Sequence, residues 1–166
     1  DAIITGVRFY NVNGQGGQVQ PKLMDYVRNG GTLVIQYNVN SPLKIAALGP
    51  YPFKLSRDRV TEENAKVTFL APEHQVLNYP NKITAKDFEG WVQERGLYFA
   101  TELDPRYVPI LGMNDQGEQS TKGSLFVADY GKGKYVYTGL SFFRELPAGV
   151  PGAYRLFINL LSKRSK

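Results

Sequence analysis

The chain opens on a short apolar, β-branched run, Ala2-Ile3-Ile4, that Gly6 ends; this pattern predicts a strand over Asp1 to Thr5. Residues 7–19 are polar and glycine-rich and predict a loop. Pro21 suits the first turn of a helix, where a missing N–H leaves no hydrogen bond unmade. Leu23, Met24 and Val27 then recur at helical spacing, and Asn29-Gly30-Gly31 stops the helix with residues that tolerate a left-handed cap. Thr32 to Tyr37 is the next strand. Strand, helix and strand in this order predict a βαβ unit, with parallel strands and a right-handed crossover. Both strands are apolar at successive central positions, as expected of a sheet covered by helices on both faces.

Residues 41–96 carry weaker patterns and predict an irregular insertion within one domain spanning 1–166. Leu43 to Leu48 fits a short helix ended by Gly49-Pro50, and Phe53 to Ser56 and Val67 to Leu70 fit short strands. Thr61 is placed to cap a turn at Glu62-Glu63, and Thr84 a brief helix through Asp87-Phe88. Long irregular segments of this kind are usually functional or lid-like. Regular patterns return with strands over Leu97 to Glu102 and Tyr107 to Met113. Ser124 to Tyr130 and Tyr135 to Thr138 flank Gly131-Lys-Gly-Lys134, a hairpin signal. Gly139 to Pro147 predicts a loop. A helix then starts near Gly152, where Ala153, Leu156, Phe157, Leu160 and Leu161 form one wide apolar face.

Composition narrows the classes. A chain of 166 residues that is 42% hydrophobic has material for one core. No apolar run approaches the roughly 20 residues that span a bilayer, so no membrane partner is expected. The first residue is Asp1 rather than Met, directly on an apolar run, which leads to the expectation of a processed chain or an excised fragment. The absence of cysteine excludes disulfides, thiolate metal sites and a cysteine nucleophile. The net charge of +5 is concentrated at the end. Without Lys163, Arg164 and Lys166 the count is 17 Lys and Arg against 15 Asp and Glu, or +2. A nearly balanced body lacks the basic stripe of a nucleic-acid binder, and the tail reads as a solvated end.

Two resemblances follow from longer strings. The early strand and helix with Gly30-Gly31-Thr32-Leu-Val-Ile35, and Tyr130-Gly-Lys-Gly-Lys-Tyr-Val-Tyr-Thr-Gly139, resemble amidotransferase-like domains of the ThuA and β-galactosidase-trimerisation type. Leu48 to Thr61, Asn78 to Ile83 with Asp87 to Gly96, and Phe142 to Arg155 resemble the C-terminal region of large bacterial PIG-L/LmbE-type deacetylases. The resemblance implies an α/β, flavodoxin-like (class I glutamine amidotransferase-like) fold. Its sheet would be mostly parallel, with helices on both faces and a late β-hairpin. It also implies that a strand and helix normally precede Asp1, so that the chain is N-terminally truncated. In that family a separate upstream domain carries zinc and deacetylates N-acetylglucosamine-type sugars. The implied partners are therefore carbohydrate and that catalytic domain, and the implied location is periplasmic or extracellular. Oligomeric state is left open.

The residues themselves argue against the chemistry this fold can carry. An amidotransferase needs a Cys on a strand-to-helix turn with a His and a Glu nearby. The corresponding turn reads Tyr37-Asn38-Val39-Asn40, and the His-bearing position reads Gly139-Leu140-Ser141-Phe142. The single histidine, His74, cannot supply a catalytic zinc site alone, so neither metal nor cofactor is expected. His74 with Asp87 or Glu89 is one acid/base set available, and a carboxylate pair among Asp58, Glu62, Asp87, Glu89 and Glu102 is another, defined by a separation in space that sequence does not show. Ser141 lacks the second glycine of a nucleophile elbow. Gly14-Gln-Gly-Gly17 has the context of a phosphate loop, but Val19 stands where the dinucleotide pattern wants glycine.

Open parallel sheets bind ligands beyond the carboxyl ends of their strands. Those segments supply Arg8, Tyr10, Asn11, Tyr37, Asn38, Phe142 and Arg144, with Trp91 and Arg95 placed to cover a cleft. Aromatic faces with amide and guanidinium groups suit sugars. The competing assignments are Trp91 as a core anchor, Arg57 and Arg59 in ion pairs around Asp58, and Arg144–Glu145 pinning a loop. Three functions remain: a non-catalytic accessory domain that binds sugar or packs on its catalytic partner, a structural or oligomerising domain, and a ThuA-like sugar-modifying enzyme using His74.

Overall fold

A computed structural model describes residues 2–163. Asp1 and the charged tail residues Arg164 and Lys166 lie outside the described residues. Strand β1 (Ala2–Thr5) pairs in parallel with β2 (Thr32–Gln36), with Ile3 opposite Leu33. The expected helix between them is present as α2 (Gly16–Arg28), preceded by a one-turn helix α1 (Phe9–Val12) where a loop was expected. Pro21 sits inside α2 rather than at its start, because the helix begins at Gly16. Gly16 and Gly17 thus form the first turn of α2, and Gly14 lies in the turn before it.

The insertion contributes three short strands, β3 (Lys54–Leu55), β4 (Arg59–Val60) and β5 (Val67–Phe69), and 3-10 turns at Gln75–Leu77 and Ala85–Phe88. No helix forms over 43–48. Strands β6 (Gly96–Leu97), β7 (Ala100–Thr101), β8 (Val108–Pro109) and β9 (Leu111–Met113) follow. The hairpin β10 (Leu125–Tyr130) and β11 (Gly133–Thr138) turns through Gly131 and Lys132, as expected. A single turn α3 (Phe142–Glu145) replaces the expected loop, and α4 (Pro151–Leu161) closes the fold.

The main sheet has the order β1-β2-β11-β10-β8. Strands β1, β2 and β11 pair in parallel, whereas β11–β10 and β10–β8 are antiparallel. This corrects the expectation of a mostly parallel sheet: the hairpin turns half of the pairings around, and the sheet is mixed. Leu33, Ile35, Phe126, Ala128, Tyr135 and Tyr137 face one layer, with Leu23 and Val27 of α2. Val34, Leu125, Val127 and Val136 face the other, with Ala153, Leu156 and Leu160 of α4. Helices therefore cover both faces, as the uninterrupted apolar strands predicted.

The insertion is not a lid. Val60, Ala65, Val76, Leu77, Ile83, Phe88 and Trp91 are buried in the α4 layer. On the α2 face an aromatic layer replaces a helix: Phe53 packs edge-on to Phe126 and Tyr107, with centroids 5.0 and 5.6 Å away. The Tyr107 hydroxyl donates to the Tyr51 carbonyl at 2.8 Å and accepts from the Tyr51 N–H at 3.1 Å. Among the described residues no helix is long and apolar enough to cross a membrane.

Candidate functional site

The carboxyl ends of β1, β2 and β11 lead into Arg8, Tyr37 and the segment 141–144, the region expected to hold a ligand. Most of its polar groups are engaged inside the fold. The Tyr10 N–H donates to Asn38 Oδ1 at 2.8 Å, and Asn38 Nδ2 donates to the Gln36 carbonyl at 3.0 Å. Asn11 Nδ2 donates to the carbonyls of Val39 and Pro42 at 2.9 and 2.7 Å, and its Oδ1 accepts the Val39 N–H at 2.9 Å. The Tyr10 hydroxyl donates to the Gln20 side chain, and burial pushes this phenol far up. Asn11 and Asn38 therefore fasten the turn after β2 to α1.

Trp91 and Arg95 do not cover an open cleft. Trp91 is 2% exposed and donates its indole N–H to the Asp87 carbonyl at 2.9 Å. Arg95 is 5% exposed and donates to the Ala65 carbonyl through Nε and Nη2, at 3.1 and 2.9 Å, and to the Phe88 carbonyl through Nη1. Phe142 is fully buried between Trp91 and Phe157. These five positions with Tyr10 correct the expectation of a ligand-lining set: their side chains are packing and fastening groups.

Arg8, Tyr37 and Arg144 do come together. The Tyr37 ring lies parallel to Tyr98, with centroids 6.2 Å apart, and tilted against Phe143 at 5.2 Å. The Arg144 guanidinium lies 4.9 Å over Phe143, and its Nε donates to Glu94 Oε1 at 2.9 Å, so its partner is Glu94 and not Glu145. Burial raises the Tyr37 phenol, while the nearby Arg8 and Arg144 charges pull it back down.

The expected acid/base residues serve as caps. His74 Nδ1 accepts the Val76 N–H at 3.2 Å at the start of the 75–77 turn. Asp87 Oδ2 accepts the Thr84 N–H at 2.7 Å, and its other oxygen pairs with Arg155 Nε at 2.7 Å. Glu89 is exposed where the 85–88 turn ends. The Ser141 hydroxyl lies 2.6 Å from the Glu94 carbonyl and 3.1 Å from Glu145 Oε1. Among the described residues no three His, Asp or Glu side chains gather to hold a metal.

A second region is open. The ribbon formed by 54–60 and 96–101 pairs Leu55 with Ala100 and Arg59 with Leu97. Residues 56, 57 and 58 therefore run opposite only 98 and 99, three against two, which is a β-bulge. Side chains normally alternate across a strand. Here Arg57, Asp58 and Arg59 all line one cleft of about 970 Å³ beside the β8 edge of the sheet. Arg57 and Arg59 also line a smaller adjoining recess of about 190 Å³ with Leu97 and Tyr98. No ion pair among the described residues involves either arginine, so the expected pairing with Asp58 is absent.

Several carboxylates around this cleft are already engaged. Glu102 pairs with Lys54 at 2.9 Å and Asp104 with Arg106 at 2.7 Å. Asp115 accepts the N–H groups of Thr61 and Glu62, each at 2.9 Å, and the Thr61 hydroxyl at 2.8 Å. Burial pushes the Asp115 carboxyl up, but these bonds and the Arg59 charge outweigh it and leave it below the usual range. Lys122, Asp58 and Glu118 line the cleft and make no ion pair among the described residues.

Two of the strained backbone positions, Tyr98 and Glu102, lie at this cleft and its recess. The four non-glycine residues at positive φ among the described residues are Arg8 (58°), Gln93 (66°), Tyr98 (52°) and Glu102 (50°). Left-handed backbone costs an L-residue about 1–2 kcal/mol, and such residues concentrate at functional surfaces. Tyr98 joins the two regions, since it lines the small recess and stacks on Tyr37.

The fold has a solved counterpart. Cytoplasmic Protein STM3548 from Salmonella typhimurium matches with a TM-score of 0.56 at 17% identity, over 96% of this chain and 69% of that one. A β-galactosidase from Rahnella sp. R3 gives a TM-score of 0.44 at 14% identity, over 86% of this chain and 21% of the enzyme. The first likeness concerns the fold alone, and the second adds no argument to it. No family model matches the chain, and no curated protein matches it significantly.

Sequence reasoning missed the cleft because its residues are brought together by a bulge. Only Arg57-Asp58-Arg59, three consecutive charged residues just after a short strand pattern, carried any signal. Tyr98 and Lys122 carried none, since neither a left-handed tyrosine nor a loop lysine differs in sequence from an ordinary one.

Proposed function

We propose that this chain is a non-catalytic, carbohydrate-binding accessory domain of the amidotransferase-like, flavodoxin-like α/β type, with the open cleft as its sugar seat. The observation that carries the reading is the contrast between the two regions. At the strand ends, where this fold type keeps its nucleophile, Asn11 and Asn38 are fastened to backbone and Ser141 is enclosed. At the β8 edge, a cleft of about 970 Å³ presents guanidinium, ammonium, carboxylate, amide and hydroxyl groups together. Ligand sites typically enclose about 300–1,000 Å³, and a sugar ring needs donors and acceptors around its hydroxyls.

The resemblance to the C-terminal region of PIG-L/LmbE-type deacetylases supports attachment to an upstream sugar deacetylase, on the periplasmic or extracellular side. The test is isothermal titration of the chain with neutral N-acetylglucosamine and glucosamine oligomers, repeated with uronic-acid oligomers. Saturable heat with any of them, lost on Thr101→Trp, which fills the cleft, is the expected result. No heat from any sugar at millimolar concentration removes the carbohydrate reading.

A further inference from the structure

We propose that the cleft and the aromatic row beside it take an acidic oligosaccharide, one whose sugar rings bear carboxylates. Arg57 and Arg59 would hold a carboxylate, and Tyr98 would stack on an adjacent ring. This rests on the carbohydrate reading above and specifies its ligand class.

Three features converge on it. First, the bulge brings Arg57 and Arg59 to both recesses at once, and among the described residues neither lies within ion-pair distance of a carboxylate, although the Arg59 charge acts on Asp115. Two guanidinium groups with their donors open form a fork that matches carboxylate geometry. Second, the cationic and aromatic groups form a row. Arg57 and Arg59 share the small recess with Tyr98, and Tyr98 stacks on the buried Tyr37; the Arg8 N–H donates to the Tyr37 carbonyl at 2.7 Å, and Arg144, paired with Glu94, lies over Phe143 beside that ring. A row of this kind suits several linked rings rather than one. Third, Tyr98 within the row and Arg8 at one end of it are both held at positive φ. The fold maintains a costly backbone conformation where it presents these side chains.

Charge balance selects among polyanions. Asp58 and Glu118 line the cleft with no ion pair among the described residues, and the engaged Glu102, Asp104 and Asp115 also line it. A phosphodiester backbone has closely spaced charges and would meet these carboxylates. An acidic sugar carries one carboxylate per ring with hydroxyls between, and carboxylates accept hydrogen bonds from hydroxyls. The mixed lining therefore favours an acidic sugar over nucleic acid.

The experiment is titration of the whole chain, followed by calorimetry and by amide NMR shifts, with three probes of similar length: an oligogalacturonate, a neutral chitin oligomer and a single-stranded oligodeoxythymidine. The oligogalacturonate is expected to bind at least about tenfold tighter than the neutral oligomer in low salt, the step that one charge-assisted contact supplies. Raising the salt narrows the gap. Shifted amides are expected around 57–59 and 97–98. Arg57→Gln with Arg59→Gln should weaken the acidic oligomer about tenfold or more and the neutral one by less, closing the gap between the two. These exposed positions lie outside the core, so the variant keeps the wild-type NMR spectrum elsewhere. Equal affinity for acidic and neutral sugars, or an unaffected double variant, overturns this inference and leaves the carbohydrate reading intact. Binding of no sugar overturns both. Tighter binding of the oligonucleotide through the same arginines also overturns it.

Discussion

Glu145 is the residue whose environment conflicts most with its usual charge. It is fully enclosed, with Oε2 accepting the Val92 N–H at 2.9 Å and Oε1 3.1 Å from the Ser141 hydroxyl. Burial raises its carboxyl, against these hydrogen bonds and the Arg95 charge. A raised folded value means that the group favours folding most below the ordinary carboxylate range of about 4.3, and that this contribution is lost as pH rises through the folded value. A neutral amide keeps one acceptor for Val92 and offers a donor to Ser141. Glu145→Gln is therefore expected to match or exceed wild-type stability at pH 7, by up to about 1 kcal/mol, whereas Glu145→Ala loses about 1–3 kcal/mol by orphaning the Val92 N–H. Urea midpoints at pH 7 measure both, and a Gln variant as damaged as the Ala variant refutes the argument. Lys134 makes the complementary case. Burial lowers its ammonium to about 8, although Nζ donates to the Ser162 carbonyl at 2.6 Å. The folded state then binds fewer protons than the unfolded state between about pH 8 and the unfolded value of about 10.4, and stability from this group rises with pH across that window. Lys134→Met should flatten that rise in thermal melts taken from pH 7.5 to 10.

Among the elements, α4 shows how far an apolar pattern reaches. Its face Ala153, Leu156 and Leu160 was legible in the sequence because nothing but 3.6-residue spacing was needed, and it packs where expected. Its start near Gly152 was legible too, since α4 begins at Pro151, but what packs against that start was not. A Cβ on Gly152 would fall on the Asp87 carbonyl, so the helix and the 85–88 turn meet backbone to backbone. Gly152→Ala is expected to force them apart and to destabilise by more than the cavity-forming Leu156→Ala, for which about 2–5 kcal/mol is ordinary. Comparing the two midpoints in denaturant checks this. Strands over 97–102 and 107–113 were expected whole. Tyr98, at positive φ, splits the first into β6 and β7, and Ile110 separates β8 in the main sheet from β9, which pairs with β5. Period-two alternation locates a strand but does not report a bulge or a change of partner, because both are set by the opposing segment. The candidate site fell between these limits: Arg8, Tyr37 and Arg144 lie at strand ends that topology alone places, whereas the cleft depends on a register shift that it does not.

At the scale of the whole molecule, the decisive feature is that the irregular insertion is core and not cover. Trp91, the single tryptophan, lies 5.5 Å from Phe88 and 5.9 Å from Phe142, joining the insertion to the turn that follows β11. Asn159 of α4 adds polar ties, donating to the carbonyls of Val76 and Asn81 at 2.9 and 2.8 Å. The sheet's α4 face would expose Val34, Val127 and Val136 if this layer opened. A lid would be free to open at low cost, since regions with few buried contacts unfold locally before the rest. The packing here predicts one cooperative unit instead. Trp91 fluorescence reports the insertion, and far-UV circular dichroism reports the sheet and helices. Their urea transitions are expected to coincide in midpoint and slope. An earlier fluorescence transition would mean that the insertion detaches on its own. The cleft, whose wall is the 54–60 and 96–101 ribbon of this same unit, would then be a transient feature and not a standing site.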